Sequence, residues 1–118
     1  MTERRQFNRF KVQDGAFVEV KINGSKIGEI IDISEGGLAF SYIDIGTRPE
    51  ESFQIDLYFQ EKDFRLENLP AKTISDFSNK SPFALTKTRR HGVQFAELDE
   101  SQTAGLKHYI ESFATAAA

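Results

Sequence analysis

Apolar and polar residues alternate on both sides of Asn23-Gly24, near the start of the chain. Val18, Val20 and Ile22 occupy every second position before this dipeptide, and the sequence KIGEIIDIS follows it closely. A spacing of two is that of a half-buried β-strand. Asn and Gly both tolerate the positive φ angles of a two-residue hairpin turn. The pattern predicts a β-hairpin and therefore an antiparallel sheet.

The predicted return strand, residues 26–34, has polar residues near its end. Alternation places Ile27, Ile31 and Ile33 on one face of this strand. The other face carries Gly28, Ile30, Asp32 and Ser34. The last two are therefore expected to share a side that points away from the isoleucines, just before a Glu-Gly-Gly turn.

Similar alternation predicts several more strands downstream. Leu38, Phe40 and Tyr42 are in register for a third strand, and the segment 53–59 repeats the pattern for a fourth. Residues 64–77 predict a longer strand with a bulge, edge or break near residues 68–70, because Pro70 cannot donate to a ladder. The last strand is expected over residues 84–95.

The pattern changes after Asp99. Apolar residues recur there at helical spacing, at positions Leu106, Tyr109, Ile110 and Phe113. This spacing predicts an amphipathic helix over about residues 100–114, weakened by Gly105. We expect the alanine-rich end that follows to be frayed.

The length and the order of these elements define the fold class. The chain has 118 residues, of which 39% are hydrophobic, which is enough for the core of one domain. Short antiparallel strands followed by one helix suggest a mainly all-β fold, a small barrel, because closure removes exposed sheet edges and the helix can cover an open end.

Charge and cysteine content narrow the classes of partner. The formal net charge is −3, but residues 1–11 hold four cations against Glu3, a local charge of +3 that leaves −6 for the rest. A small anion could bind there, whereas a nucleic acid polymer is disfavoured. There is no Cys, no apolar leader and no stretch of membrane-spanning length, so we expect a soluble, cytoplasmic protein.

Two stretches carry chemistry suited to a nucleotide. Arg5 and Arg9 lie four residues apart and share a side, and a guanidinium matches phosphate oxygens or the O6/N7 edge of guanine. Asp32 can accept hydrogen bonds from guanine, and Ser34 can complete the contact. Each stretch also has a simpler interpretation, a solvated basic N-terminus for the first and a capped hairpin turn for the second.

Catalysis and metal binding find little support. Asp32 and Ser34 are not part of a GxSxG motif, and His91 and His108 lie in no context typical of a catalytic triad. Two histidines without cysteine make a poor metal site. We therefore predict no catalytic residues, no metal ligands and no cofactor.

Taken together, the two stretches resemble the motifs of PilZ domains, receptors for the bacterial second messenger cyclic di-GMP. RQFNR, residues 5–9, is similar to RxxxR, and DISEGG, residues 32–37, is similar to [D/N]xSxxG. RHGVQF, residues 90–95, resembles the late RxGVxF strand of the family. The resemblance spans roughly residues 3–98, and the joint occurrence is much more specific than either motif alone.

The resemblance implies a six-stranded antiparallel PilZ-type β-barrel with a C-terminal α-helix. It implies a flexible arm at residues 1–12 that carries RxxxR, followed by one barrel domain at residues 13–118. Cyclic di-GMP would be held by the following residues: Arg4, Arg5, Arg9, Asp32, Ser34, Gly36 and Gly37. The run Lys87–Arg90 either adds positive potential to this site or is a solvated strand end.

The implied function is that of a cyclic di-GMP receptor or adaptor that changes conformation and signals through a partner protein in trans. Among PilZ domains an arginine at the position of Arg4 tends to accompany a pair of ligand molecules, so we expect two per chain. The partner could belong to flagellar motors, pili or exopolysaccharide synthesis. The alternatives are a PilZ-type adaptor that binds protein but no nucleotide, and a small-barrel RNA binder, which the acidic balance disfavours.

Overall fold

The structure, a computed structural model, is built mainly from antiparallel strands. It describes residues 8–21, 25–44, 51–60, 64–79 and 87–118. In these ranges the elements are, in chain order, β1 (Phe10–Val12), β2 (Ala16–Lys21), β3 (Ser25–Ile33), β4 (Gly37–Ile43), β5 (Ser52–Phe59), β6 (Phe64–Asn79), β7 (Thr88–Phe95), α1 (Glu100–Phe113) and β8 (Ala114–Ala117).

Six of these strands close into a barrel. Hydrogen-bonded neighbours follow one another in the order β2, β5, β6, β7, β4 and β3, and β3 pairs with β2 to complete the circle. All six pairings are antiparallel. The predicted six-stranded antiparallel barrel with a C-terminal helix is confirmed.

The predicted alternation is confirmed in β2, β4 and β5. Their inward side chains are all buried, namely Val18, Val20, Leu38, Phe40, Tyr42, Phe53, Ile55, Leu57 and Phe59. Burial of a large apolar side chain stabilises the fold by roughly 1.5–3 kcal/mol. These strands therefore supply much of the core that holds the outer face of the barrel in place.

Strand β3 departs from the predicted alternation. Ile27, expected on the apolar face, is 58% exposed, whereas Gly28 is buried. A Cβ atom at Gly28 would lie 2.5 Å from Cδ2 of Phe40, because the Phe40 ring occupies the interior at this level. The assignment of faces was therefore wrong in the first half of the strand.

A β-bulge in β3 changes which residues point inwards. The register with β4 shifts between Ile30 and Asp32, and the buried apolar positions are Ile30 and Ile33 rather than a strict series. Ile31 is only half-buried. An extra residue in one strand reverses the side-chain alternation beyond it, which is why a simple period-two pattern fails here.

Strand β6 contains the irregularity expected near Pro70, and it is a bulge. Glu67 and Asn68 together stand opposite the single residue Asp56 of β5. Asn68 has φ 61°, and its N–H donates to the Asp56 carboxylate over 2.9 Å. The strand bends at this point and continues without a break.

Helix α1 is confirmed at Glu100–Phe113. Asp99 caps it, since its carboxylate accepts from the N–H of Gln102 and the Gln102 side chain accepts from the N–H of Asp99. All four predicted apolar positions of the helix are buried. No helix in the described ranges is long and apolar enough to cross a membrane.

The helix packs against strands β5 and β6. The rings of Phe113 and Phe59 stack with their centroids 4.3 Å apart, and the Tyr109 hydroxyl donates to the Tyr58 carbonyl over 2.9 Å. Gly105, expected to weaken the helix, lies where a Cβ atom would be 2.7 Å from Leu66.

The C-terminal end of the chain and the start of the last barrel strand both differ from expectation. The alanine-rich end, predicted to be frayed, forms β8 and pairs with β1, with Phe10 opposite Ala117. The physical reason is that β1 presents a free edge whose backbone groups β8 can bind. The last barrel strand begins at Thr88, later than predicted, and residues 84–86 lie outside the described residues.

Candidate functional site

Strand β1 brings Arg9, the last residue of the N-terminal arginine motif, to the end of β3. Phe10 stands opposite Ile33, so the preceding residue, Arg9, lies beside the segment that contains Asp32 and Ser34. Arg4 and Arg5, the other arginines of the predicted site, lie outside the described residues.

The carboxylate of Asp32 lies between two guanidinium groups. Its Oδ1 is 3.6 Å from Nη1 of Arg9, and its Oδ2 accepts from Nη2 of Arg90 over 3.4 Å. The Asp32 side chain is only 11% exposed, against 39% for Arg9 and 31% for Arg90. Asp32 was expected on the strand face that points away from Ile31 and Ile33, and on that face the two arginines cover its carboxylate.

The Ser34 hydroxyl is bonded within its own turn. Its Oγ accepts from the N–H groups of Gly36 and Gly37 over 3.1 and 3.2 Å, and it donates to the Gly37 carbonyl over 3.3 Å. The backbone N–H of Ser34 also donates to the Gly37 carbonyl, over 2.8 Å. The capped-hairpin interpretation therefore describes what Ser34 does in this structure.

Gly37 permits a close approach between β4 and β7. It stands opposite Gln94, and a Cβ atom at its position would lie 2.2 Å from the Val93 carbonyl oxygen. Gly36 accepts from the Phe95 N–H over 2.9 Å. The two glycines therefore join the turn to β7, the strand that also carries Arg90.

Arg90 is the residue of the Lys87–Arg90 run that reaches the site. Arg90 lines a shallow cavity together with Arg9, Ile74, Ser75 and Gly92. A Cβ atom at Gly92 would lie 2.6 Å from Oγ of Ser75, so β6 and β7 approach each other closely beside this cavity. The sequence left the role of Arg90 open, because the pairing of Arg90 with Ser41 of β4 could not be predicted from the sequence.

Arg89 points to a different cluster, within the barrel. Its Nε donates to the Asp76 carboxylate over 2.9 Å, and Nη1 lies 3.9 Å from the Asp44 carboxylate. The contact with Asp76 raises the pKa of the Arg89 guanidinium, chiefly through this hydrogen bond. The neighbouring arginines of β7 thus serve opposite faces, as strand geometry requires.

His91 is fully buried behind the site. Its Nε2 lies 3.0 Å from Oγ1 of Thr73, its Nδ1 has no hydrogen-bond partner among the described residues, and its ring stacks on Phe40. Burial lowers the pKa of this imidazole; the Asp76 carboxylate, 3.8 Å from Nδ1, acts to raise it, and the positive charges of Arg89 and Lys26 act to lower it, so that the net shift is downwards. This neutral, enclosed ring packs as part of the core.

The described residues include no group of three or more carboxylates and histidines placed to hold a metal ion. What they offer is a carboxylate that accepts hydrogen bonds, flanked by two planar guanidinium donors. A guanidinium binds phosphate or carboxylate oxygens in bidentate fashion. The arrangement suits recognition of a ligand that has both anionic oxygens and N–H donors.

Comparison with solved structures agrees with the barrel. The PilZ domain of YcgR from Escherichia coli with c-di-GMP superposes with a TM-score of 0.71 at 21% identity, over 93% of this chain and 91% of that chain. The MrkH–c-di-GMP complex of K. pneumonia gives 0.75 at 12% identity, over 95% of this chain and 53% of that chain.

A third structure, the inhibitor of motility MotI/DgrA of Bacillus subtilis, gives a TM-score of 0.67 at 21% identity, over 94% of this chain and 52% of that chain. The chain therefore spans about half the length of the MrkH and MotI chains. Among curated proteins, none matches the sequence significantly.

The family model described as PilZ domain matches residues 3–112. This match includes the arginine segment, the Asp32–Gly37 turn and β7, the three parts of the chain that meet around the Asp32 carboxylate. Because the match covers nearly the whole sequence and the barrel has the same architecture, the chain belongs to the PilZ domain family.

Proposed function

We propose that this chain is a receptor domain for cyclic di-GMP. The observation that carries the proposal is the meeting of the two sequence motifs in space, with Arg9 of the first 3.6 Å from Asp32 of the second. The solved PilZ structures of YcgR and MrkH that share the barrel were obtained with this ligand.

The chemistry of the site fits the two halves of the ligand. Guanine offers N1–H and N2–H donors to the Asp32 carboxylate, and the phosphates offer oxygens to the guanidinium forks of Arg9 and Arg5. Gly36 lets the ligand approach the backbone of the turn, Gly37 lets the turn lie close to β7, and Ser34 holds that turn in shape through its bonds to their N–H groups.

Arg90 is a third cation that we add to the proposed site. In the structure Asp32 is shared between Arg9 and Arg90. When a guanine occupies the carboxylate, the two guanidiniums become free to turn towards phosphate or the guanine O6/N7 edge. Ligand binding therefore replaces the ion pairs of Asp32 with Arg9 and Arg90 by contacts between these groups and the ligand. No charge is left unpaired in the free or in the bound state.

The same reasoning extends to stoichiometry. Two stacked molecules of cyclic di-GMP carry four phosphate charges, and Arg4 would supply a further guanidinium beside Arg5 and Arg9. We propose two ligand molecules per chain, with Arg4 in contact with the second.

We propose that the part of the predicted arm that precedes β1 closes over the ligand and that a partner protein in trans senses this change. The clustered positive charge of residues 1–11 repels itself until phosphates neutralise it. The proposed place of action is the cytoplasm, where the second messenger is made available. The proposed role is that of a receptor, without catalysis.

Calorimetric titration of cyclic di-GMP tests the proposal on the wild-type chain, Arg9→Ala and Lys11→Ala. Lys11→Ala is a matched control, since it removes the cation of an exposed β1 side chain only two residues from Arg9. Loss of a charge-assisted hydrogen bond costs about 1.5–3 kcal/mol, so Arg9→Ala should bind roughly 10–150-fold more weakly. Lys11→Ala should bind nearly as tightly as the wild type.

Binding of equal strength in all three proteins would remove Arg9 from the site. GTP, cyclic di-AMP and a short RNA serve as competing ligands, and cyclic di-GMP should be preferred over each of them. Tighter binding of the RNA would favour a nucleic-acid-binding barrel instead.

A second candidate is an adaptor that binds protein without nucleotide. The observation in its favour is that the Ser34 hydroxyl already bonds three backbone groups of its own turn, so its motif also has a purely structural explanation. This candidate predicts no heat of binding with cyclic di-GMP at any concentration tested.

A further inference from the structure

The segment that carries Arg9 is bonded along its length to the C-terminal end of the chain. The N–H of Ala118 donates to the Arg9 carbonyl over 3.0 Å, and the Thr115 hydroxyl donates to the Lys11 carbonyl over 3.4 Å. The N–H of Gln13 donates to the Phe113 carbonyl over 2.9 Å. Residues 9–13 and 113–118 therefore run side by side.

On its other side, β1 has a shorter ladder of paired residues with the barrel, although Phe10 and Val12 pack against the core. Its register with β3 consists of the single pair Phe10–Ile33, whereas its register with β8 includes three pairs. The C-terminal strand thus supplies most of the backbone bonds that keep β1 in place. It does so immediately beside the residue whose guanidinium meets Asp32.

We propose that β8 is a positioning element for Arg9. The bond from Ala118 holds the Arg9 carbonyl, and this fixes the point from which a 39% exposed side chain reaches Asp32. When the bond is lost, the backbone of Arg9 is no longer fixed beside the site, so the guanidinium meets Asp32 less often in the free chain. Ligand binding weakens because this backbone must be ordered again before the guanidinium can reach a phosphate. The effect on the ligand rests on the proposed function; the effect on Arg9 itself does not.

Proline substitution separates this bond from a general effect on β8. Successive N–H groups of an antiparallel strand point to opposite sides, so the N–H of Ala117 points away from β1 while that of Ala118 points towards it. Ala118→Pro therefore removes the donor to Arg9, and Ala117→Pro introduces the same ring one position earlier without removing a bond to β1.

The first readout needs no ligand. The Arg9 Nη–H resonance in an NMR spectrum reports contact with Asp32, whose carboxylate lies 3.6 Å from Nη1, and Asp32→Ala defines its position when the contact is absent. Ala118→Pro should move this resonance most of the way towards the Asp32→Ala position, and Ala117→Pro should leave it unchanged. Equal spectra for the two proline variants would overturn the proposal.

The second readout is affinity for cyclic di-GMP in a double-mutant cycle. Ala118→Pro should weaken binding about fivefold, the effect of one ordinary hydrogen bond, and it should have no further effect in the Arg9→Ala background. An equal loss in that background would show that β8 acts through general structure and would overturn the positioning role. A wild-type chain that does not bind would overturn the proposed function alone, since the NMR readout would still decide the role of β8.

Discussion

Gly37 of the turn motif is predicted to be required by the fold itself. A Cβ atom at this position would lie 2.2 Å from the Val93 carbonyl oxygen and 3.2 Å from Cα of Gln94. Both neighbours are backbone atoms of β7, so no side-chain rotation can relieve the overlap. To reach even 3.0 Å from that oxygen, β4 and β7 must separate by about 0.8 Å where Phe95 donates to Gly36.

The expected effect of Gly37→Ala is a marked loss of stability. Overpacking of this kind costs typically 1–3 kcal/mol. For a domain of 118 residues this corresponds to a fall in Tm of about 4–12 °C. Thermal and urea unfolding followed by circular dichroism would measure it.

Gly105→Ala is the matched control for this prediction. Its Cβ atom would meet Cδ1 of Leu66 at 2.7 Å, but that atom is the tip of a flexible side chain that can turn aside. Alanine also favours the helix by about 1 kcal/mol over glycine, so Gly105→Ala should match or exceed the wild-type Tm. If Gly37→Ala were as stable as the wild type, the close approach of β4 and β7 would not be the reason for this glycine.

Three more outcomes are expected. Because the pKa of buried His91 lies below its ordinary value of 6.5, the unfolded chain binds a proton that the folded chain does not. The contribution of His91 to the free energy of unfolding should be constant above about pH 6.5 and fall at lower pH by at most about 1.4 kcal/mol per pH unit. Urea unfolding at several pH values would show this, and His91→Phe should flatten the profile. Arg4→Ala should shift the calorimetric ratio of cyclic di-GMP from two towards one, and an unchanged ratio of one in both proteins would refute the paired ligand. Hydrogen exchange in residues 1–8, which precede β1 and Arg9, should slow when ligand is added, whereas equally strong protection of these residues without ligand would contradict an arm that closes.

Local patterns were enough to predict the regular parts of the fold. β2, β4 and β5 have large apolar residues at every second position and α1 has four at helical spacing, and all of these residues are buried, although Ala39 and Asp56 on the other strand faces are buried too. In β3 the bulge between Ile30 and Asp32 breaks the period, and nothing in the local sequence marks it. The pairing of β8 with β1 joins segments about a hundred residues apart, which local propensity cannot predict.

The candidate site shows the same division. The family resemblance assigned Arg9 and Asp32 to one ligand site, and the structure places their side chains 3.6 Å apart, a direct pairing that the sequence did not predict. The roles of Arg89 and Arg90 could not be separated from the sequence, because they depend on which face of β7 each residue occupies. Ser34 had two interpretations, and only the hydrogen bonds of the turn show that its hydroxyl holds Gly36 and Gly37.

Chemical-shift mapping of the ¹⁵N-labelled chain with cyclic di-GMP tests the central claim most directly, since one titration reports both binding and its location. The account predicts saturable shifts at Arg9, at residues 32–37 and at residues 90–92, the segments that surround the Asp32 carboxylate. The resonances of the amides near the exposed Ile27 and Ile43 should not shift. An absence of shifts at saturating ligand, or shifts confined to the Ile27 and Ile43 side, would contradict the proposed receptor site.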